Sequence, residues 1–342
     1  MPLLEVKNLT VSFRTRAGKM PAVSNLSFTL ERGKTLALVG ESGSGKSVTA
    51  TAILRLLGEN AEREGSIFFH QEEEKTDLTR LSEKELLSVR GNKISMIFQE
   101  PMTALNPVFS IGKQLAEPFL IHRGYTKAQA LSGAEKMLAQ VGIPNPARAL
   151  KSYPHELSGG MRQRVIIAMA LACQPKLLIA DEPTTALDVT IQAQILRLIS
   201  RLQKENGAAI LFITHDLAVV GEIADDVAVM YCGEIVELVP APVVFQKGGF
   251  SHPYTEGLLS CVPSGVKKGE RLESITGSVP HPSALPKGCR FAPRCKYHTE
   301  KCVREKPRLA EVENGHAVRC FYPNKERRDK EWTNGCCYPS AD

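Results

Sequence analysis

No apolar run in this 342-residue chain approaches the length of a membrane span. The longest, Val165 to Cys173, ends at Gln174-Pro175, well short of the roughly 20 apolar residues that a bilayer-crossing helix needs. The N-terminus, MPLLEVKNLTVSF, has no basic start, no apolar core segment and no small-residue cleavage site, which argues against a secretory leader. These absences predict a protein that stays in the cytosol. Internal repeats and low-complexity tracts are missing too, and Glu72 to Glu74 is only a short acidic run, read as an exposed loop.

Most of the chain also lacks a charge surplus. Residues 1–263 hold 27 Lys and Arg against 27 Asp and Glu, whereas residues 264–342 hold 16 against 10. The net charge of +6 therefore belongs to the tail, where basic residues are scattered among acids as on a solvated surface. Cysteine is sparse early, with Cys173, Cys232 and Cys261, and dense late, with Cys289, Cys295, Cys302, Cys320, Cys336 and Cys337. In a cytosolic protein such a group points to metal before disulfides. With 43% hydrophobic and 23% charged residues, the chain has ordinary globular composition and is expected to bury a sizeable core.

Local patterning predicts a strand from Leu4 to Phe13, a turn around Gly18 and a second strand from Val23 to Leu30. Thr35 to Val39 is a short apolar run entering a glycine-rich loop, and Ser47 to Leu57 has helical spacing. Residues from about Leu81 to Leu150 read mainly as helix. Strand-like runs return at Leu177 to Ala180 and Ala209 to Ile213. The alternation predicts a mixed α/β core with an inserted helical subdomain. After Val262, prolines and glycines break the pattern, which places a boundary near 263 between a domain at 1–262 and an extension at 263–342.

Three segments carry chemistry. Gly40-Glu41-Ser42-Gly43-Ser44-Gly45-Lys46-Ser47 fits G-x-x-x-x-G-K-[ST] between a predicted strand and helix. Glycines there let backbone N–H groups face one anion, the helix adds its positive end, Lys46 reaches the β- and γ-phosphates, and Ser47 ligates Mg²⁺. Leu177 to Glu182 is an apolar strand ending in two acids, with Asp181 placed to hold Mg²⁺ and Glu182 to polarise an attacking water. Between them, Ser158-Gly159-Gly160 opens a helical run, a second helix N-terminus suited to an anion or simply a capped one.

This ordered set resembles the ABC ATPase family. Walker A matches Gly40 to Ser47, the signature matches LSGGMRQR at 157–164, and Walker B matches 177–182. Gln99 fits the Q-loop glutamine, Ala186-Leu187-Asp188 the D-loop, His215 the switch histidine and Phe13 the aromatic that stacks on adenine. The resemblance spans roughly residues 4 to 240. It implies a P-loop NTPase of the ABC type, with a mixed sheet core, an antiparallel β subdomain and a helical subdomain. It further implies ATP bound with Mg²⁺ between two such domains, with Gly40, Ser42, Gly43, Gly45, Lys46 and Ser47 acting in cis. Ser158, Gly159 and Gly160 would act on the partner's nucleotide. Glu182 is the implied catalytic carboxylate, helped by His215 and Gln99, and Ser47, Gln99 and Asp181 the implied Mg²⁺ site.

Gln99 to Pro107, Asp181 to Gln194 and Ser251 to Thr255 are similar to the peptide/nickel importer branch. That branch implies a peripheral subunit at the cytoplasmic face of the inner membrane, paired with a second, different ATPase subunit. Two integral-membrane permeases and, indirectly, an extracytoplasmic solute-binding protein complete the expected assembly. Di- or oligopeptides are the first reading of the solute; nickel, glutathione or another small solute stays open. Cys289, Cys295, Cys302 and Cys320 resemble the small Cys-rich C-terminal region of these proteins, some of which hold a [4Fe–4S] cluster. Four thiolates suit such a cluster or zinc, and free cysteines in a packed appendage are the third reading. Cys336 and Cys337 receive no role. A soluble ABC ATPase acting on nucleic acid or ribosomes is the remoter alternative; the charge balance of residues 1–263 counts against it, and no nucleic-acid partner is expected.

Overall fold

In a computed structural model, the described residues are 2–16, 18–71, 74–99, 104–185, 188–246, 249–261, 274–313 and 315–323. The strands are β1 (Pro2–Thr15), β2 (Gly18–Glu31), β3 (Thr35–Val39), β4 (Ala61–Gln71), β5 (Glu74–Asp77), β6 (Ile94–Ile97), β7 (Leu177–Asp181), β8 (Ala209–Thr214), β9 (Asp226–Tyr231), β10 (Glu234–Pro240), β11 (Ala310–Glu313) and β12 (His316–Val318). They build an antiparallel sheet ordered β2-β1-β4-β5 and a mixed sheet ordered β11-β12-β10-β9-β3-β8-β7-β6.

In the mixed sheet β6, β7, β8, β3 and β9 run parallel. Every residue of β3, β7 and β8 is buried, which is why these strands read as continuous apolar runs: parallel strands are covered on both faces. Helix α1 (Lys46–Ile53) follows β3 directly. The expected helical insertion lies between β6 and β7 as α2 (Ile111–His122), α3 (Lys127–Gln140) and α4 (Gly159–Leu171). Its apolar faces meet in one core, where Leu115, Phe119, Leu138, Val165 and Ile167 join Phe212 of β8. The start of α3 is fixed by a capping box: Thr126 Oγ1 accepts from Gln129 N–H, and the Gln129 side chain accepts from Thr126 N–H. Two further helices matter below, α5 (Val189–Asn206) and α6 (Pro253–Ser260).

The sequence reading missed β4, β5, β6 and the β9–β10 hairpin. β6 is four residues long and sits in a stretch of mostly helical texture. The hairpin turns at Cys232-Gly233, both at positive φ, and cysteine gives no turn signal. The boundary near 263 falls among residues 262–273, outside the described residues. Beyond it the tail returns to the main sheet: β12 pairs antiparallel with β10, and β11 with β12. Phe291 and Cys295 share a core cluster with Val229, Tyr231 and Tyr254. Among the described residues no helix is long and apolar enough to cross a membrane.

Candidate functional site

Strand β3 delivers the chain into the glycine-rich loop at the centre of the mixed sheet. Gly40 has φ 155°, and a Cβ there would stand 2.2 Å from the Met230 carbonyl oxygen. At Gly45, with φ 101°, a Cβ would lie 2.7 Å from the Ala22 oxygen, so a side chain at either position would force the backbone apart. Lys46, the first residue of α1, is buried and donates to the carbonyls of Gly40 at 2.7 Å and Glu41 at 3.0 Å. Burial lowers its pKa, opposed by the charges of Glu182, Asp181 and Glu41.

The parallel order β8-β7 sets two more functional segments beside this loop. Ser47 Oγ donates to Asp181 Oδ1 at 3.1 Å. Asp181 is buried at the end of β7, and that burial raises its pKa. Glu182, the next residue, has φ 47°, a conformation few side-chain-bearing residues adopt. Its N–H donates to the Ile213 carbonyl of β8 at 2.9 Å, which aims the carboxylate. Oε2 accepts from Thr185 Oγ1 at 2.9 Å and from Gln99 Nε2 at 3.3 Å, and Oε1 lies 3.2 Å from His215 Nδ1. Burial alone would raise the pKa of Glu182, but the hydrogen bonds from Thr185 and His215 and the charges of His215 and Lys46 outweigh it. The group is an ionised base at neutral pH.

The loop, Gln99 and Glu182 border a cleft of about 490 Å³. Phe13, Ser42, Gly43, Gly45, Lys46, Ser47, Gln99 and Glu182 all line it. Ser158, Gly159 and Gly160 do not. Ser158 caps α4, accepting from Met161 N–H at 3.3 Å, and with Gly159 it faces solvent. Gln163, farther along α4, is buried and donates to the Pro183 carbonyl just past Glu182, tying α4 to the segment that carries Glu182. Asp188 caps α5 through Ile191 N–H at 2.9 Å. Ala186, Leu187 and the stretch Glu100 to Thr103 lie outside the described residues.

Several contributors escaped the sequence reading. Thr185 grips Glu182, and a lone threonine after two acids gives no signal. Met20, Pro21 and Ala22 of β2 join Phe13 in lining the cleft. Val279, Pro280, His281, Pro282 and Leu285 form a wall from the tail, a segment that reads only as a proline-broken linker.

The four tail cysteines, Cys289, Cys295, Cys302 and Cys320, line one small cavity of about 10 Å³ together with His252, Phe291 and other rings. Burial pushes the Cys295 thiol up to about 12 and raises that of Cys289. Backbone N–H groups of Tyr297 and Tyr322 point to the sulfurs of Cys295 and Cys320 at 3.4 Å each. Among the described residues, however, no three His, Cys, Asp or Glu side chains are arranged to hold a metal ion. The donor set suits a metal group, while the cavity as packed has room for about one water. Cys336 and Cys337 lie outside the described residues.

The sequence matches the family described as ABC transporter over residues 23–185, and that described as oligopeptide/dipeptide transporter, C-terminal region, over residues 236–302. It is 51% identical over 329 residues to a putative peptide import ATP-binding protein of Brucella melitensis, covering 94% of this chain and 97% of that one. The oligopeptide transport ATP-binding protein AppD of Bacillus subtilis is 49% identical over 326 residues, covering 95% and 98%. Among solved structures, the dimeric post-hydrolysis state of the ATP-binding cassette MJ0796 bound to ADP and Pi is similar at TM-score 0.62 and 27% identity, covering 70% of this chain and 98% of that chain. CbiO1 from Clostridium perfringens is similar at TM-score 0.60 and 27% identity, covering 72% and 91%.

Proposed function

The chain belongs to the ATP-binding proteins of ABC transporters, and from that premise we propose that it hydrolyses ATP to power a di- or oligopeptide importer. One observation carries the chemistry: the Ser47–Asp181 pair and the Glu182–His215 pair stand side by side at the mouth of the phosphate loop. The match of residues 236–302 to the oligopeptide/dipeptide transporter C-terminal region favours peptides over nickel or glutathione.

In this reading ATP enters the cleft with its base toward Phe13 and its phosphates over the loop. Lys46 leaves the carbonyls of Gly40 and Glu41 for the phosphate oxygens. Ser47, Asp181 and Gln99 are oxygen donors suited to Mg²⁺, which neutralises phosphate charge when bound. Glu182, held by Thr185, Gln99 and His215, orients the attacking water and takes up its proton. Positioning and charge neutralisation make up most of what phosphoryl transfer asks of a protein. The exposed positions of Ser158 and Gly159, off this cleft, suit a role on the nucleotide of a second ATPase subunit, which we take to be a different chain.

A groove of about 390 Å³ between the helical insertion and the mixed sheet exposes Leu56, Phe98 and Ile121. We assign it to an apolar cytoplasmic element of the membrane permeases, which would place the subunit peripherally at the inner membrane. Phe98 in that groove adjoins Gln99 on Glu182, a direct path from docking to catalysis.

The residues after 263 form the Cys-rich extension of this reading. Their four thiols would hold a [4Fe–4S] cluster, with zinc as the alternative. Four thiolates are a usual ligand set for either group.

The function is tested by phosphate release from ATP on the purified chain with and without Mg²⁺, and by dipeptide uptake in cells lacking it. Mg²⁺-dependent release and lost uptake are expected. ATP binding without any release would overturn the enzymatic reading, and undiminished peptide uptake the importer reading.

A further inference from the structure

Glu41 puts a carboxylate into a loop built to receive phosphates. It is held from three sides. Its side chain takes both ends of the Arg294 guanidinium, at 2.6 and 3.1 Å. Its N–H donates to the Tyr254 hydroxyl at 2.8 Å, and its carbonyl accepts from Lys46 Nζ at 3.0 Å. Arg294 comes from the tail, next to Cys295, and only 4% of its side chain is exposed. Other donors hold it to the tail's own backbone, Nε on the Thr276 carbonyl at 3.0 Å and Nη2 also on that of Ile275 at 3.5 Å, and the guanidinium lies 5.8 Å from the centre of the Tyr231 ring. The fork is therefore aimed before any ligand arrives.

We propose that Arg294 is a positioning residue for the phosphate loop: by neutralising and fixing Glu41, it lets the C-terminal segment set the affinity of this chain for nucleotide. Lys46 feels the negative charge of Glu41, so the same field acts where phosphates would lie. Without Arg294 that half-buried carboxylate stands unpaired beside an anion site, repelling the ligand and loosening the loop. The segment also reaches the cleft itself, since Val279 to Pro282 and Leu285 line it together with Phe13 and Met20. The proposal rests on the reading that this loop binds nucleotide phosphates.

The test is titration of the purified full chain with a fluorescent ADP analogue, mant-ADP, together with steady-state ATPase kinetics. Arg294→Ala is expected to weaken mant-ADP binding about tenfold and to raise KM for ATP more than it lowers kcat. Glu41→Gln, which leaves the Arg294 cation unopposed, is expected to bind more tightly than the unmodified chain. The double variant Arg294→Ala/Glu41→Gln is expected to recover most of the lost affinity, because neither charge remains. A double variant as weak as Arg294→Ala would mean that Arg294 serves structure alone and would overturn the proposal, as would undiminished binding by Arg294→Ala. Should Arg294→Ala fail to fold, Glu41→Gln decides: a loss of affinity in that variant overturns the proposal. Failure of the unmodified chain to bind mant-ADP would instead overturn the nucleotide-site reading beneath it.

Discussion

His215 Nδ1 lies 3.2 Å from Oε1 of Glu182, bridging the loops that leave β8 and β7, while Gln99 Nε2 holds the other carboxylate oxygen at 3.3 Å. Three separate segments thus converge on one acid. That acid is held ionised despite partial burial, which suits a base and not merely a structural anchor.

Replacing Glu182 with Gln keeps the shape and the hydrogen bond from Thr185 but removes the proton acceptor. Phosphate release is expected to fall by about 10²-fold or more, the usual range for loss of a general base. Nucleotide binding should persist, because Lys46 and the loop are untouched. Rapid-quench hydrolysis alongside mant-ADP titration checks both halves, and hydrolysis at the original rate would remove Glu182 from its role.

Ser158 caps α4 away from the cleft that holds Lys46. Ser158→Arg should therefore leave nucleotide affinity of the isolated chain unchanged within about twofold while lowering turnover of the assembled ATPase pair at least tenfold, about 1.4 kcal/mol. The comparison needs mant-ADP binding on the single chain and phosphate release from the assembled pair. Equal loss in both measurements would show that the signature acts within its own chain.

How much of this was legible beforehand depended on where the physics is local. The phosphate loop, the Walker B strand and the signature are contiguous, and their glycines, buried apolar run and cap are dictated by near neighbours. Strands β3, β7 and β8 were readable because parallel strands covered on both faces are apolar throughout. β4 was not, because its first half, Ala61 to Gly65, is polar and partly solvated. Nor was the tail's contribution: Arg294 meets Glu41 across 253 positions, and a pairing of that span leaves no periodicity in either segment. Pro280 and Pro282 read as linker although they wall the cleft, since proline marks an irregular backbone without saying what it packs against.

Asp181 carries a burial cost that the free protein bears for its ligand. Burial raises its pKa, so in the window between the ordinary value of about 4 and the raised value the native state holds a proton that the unfolded chain has lost. Stability of the unmodified protein from this group accordingly increases as pH falls through that window. Asp181→Asn has no such charge and still offers Ser47 an oxygen. It should melt higher at neutral pH, a gain of about 1 kcal/mol corresponding to roughly 2 °C in a chain of this size, with the advantage shrinking toward pH of about 4. Calorimetry across pH measures the difference, and Mg²⁺-dependent hydrolysis should be lost in the same variant. A variant less stable than the parent at neutral pH would show that Asp181 is a structural ion partner.

The tail cysteines allow the most direct measurement. Cys289, Cys295, Cys302 and Cys320 border one cavity of about 10 Å³, too small for a cluster unless the surrounding side chains move outward. Protein purified without oxygen is expected to be coloured, to contain about four irons per chain and to lose both on Cys295→Ala, since one missing thiolate uncovers one iron. Chelation of that iron should lower the melting temperature, because the ligand-bound state is stabilised by mass action. One zinc per chain and no colour would make the site a tetrahedral structural knot instead. Neither metal, with an unchanged melting temperature for Cys295→Ala beyond the cost of a small cavity, would leave four packed thiols whose resemblance to metal ligands is only one of spacing.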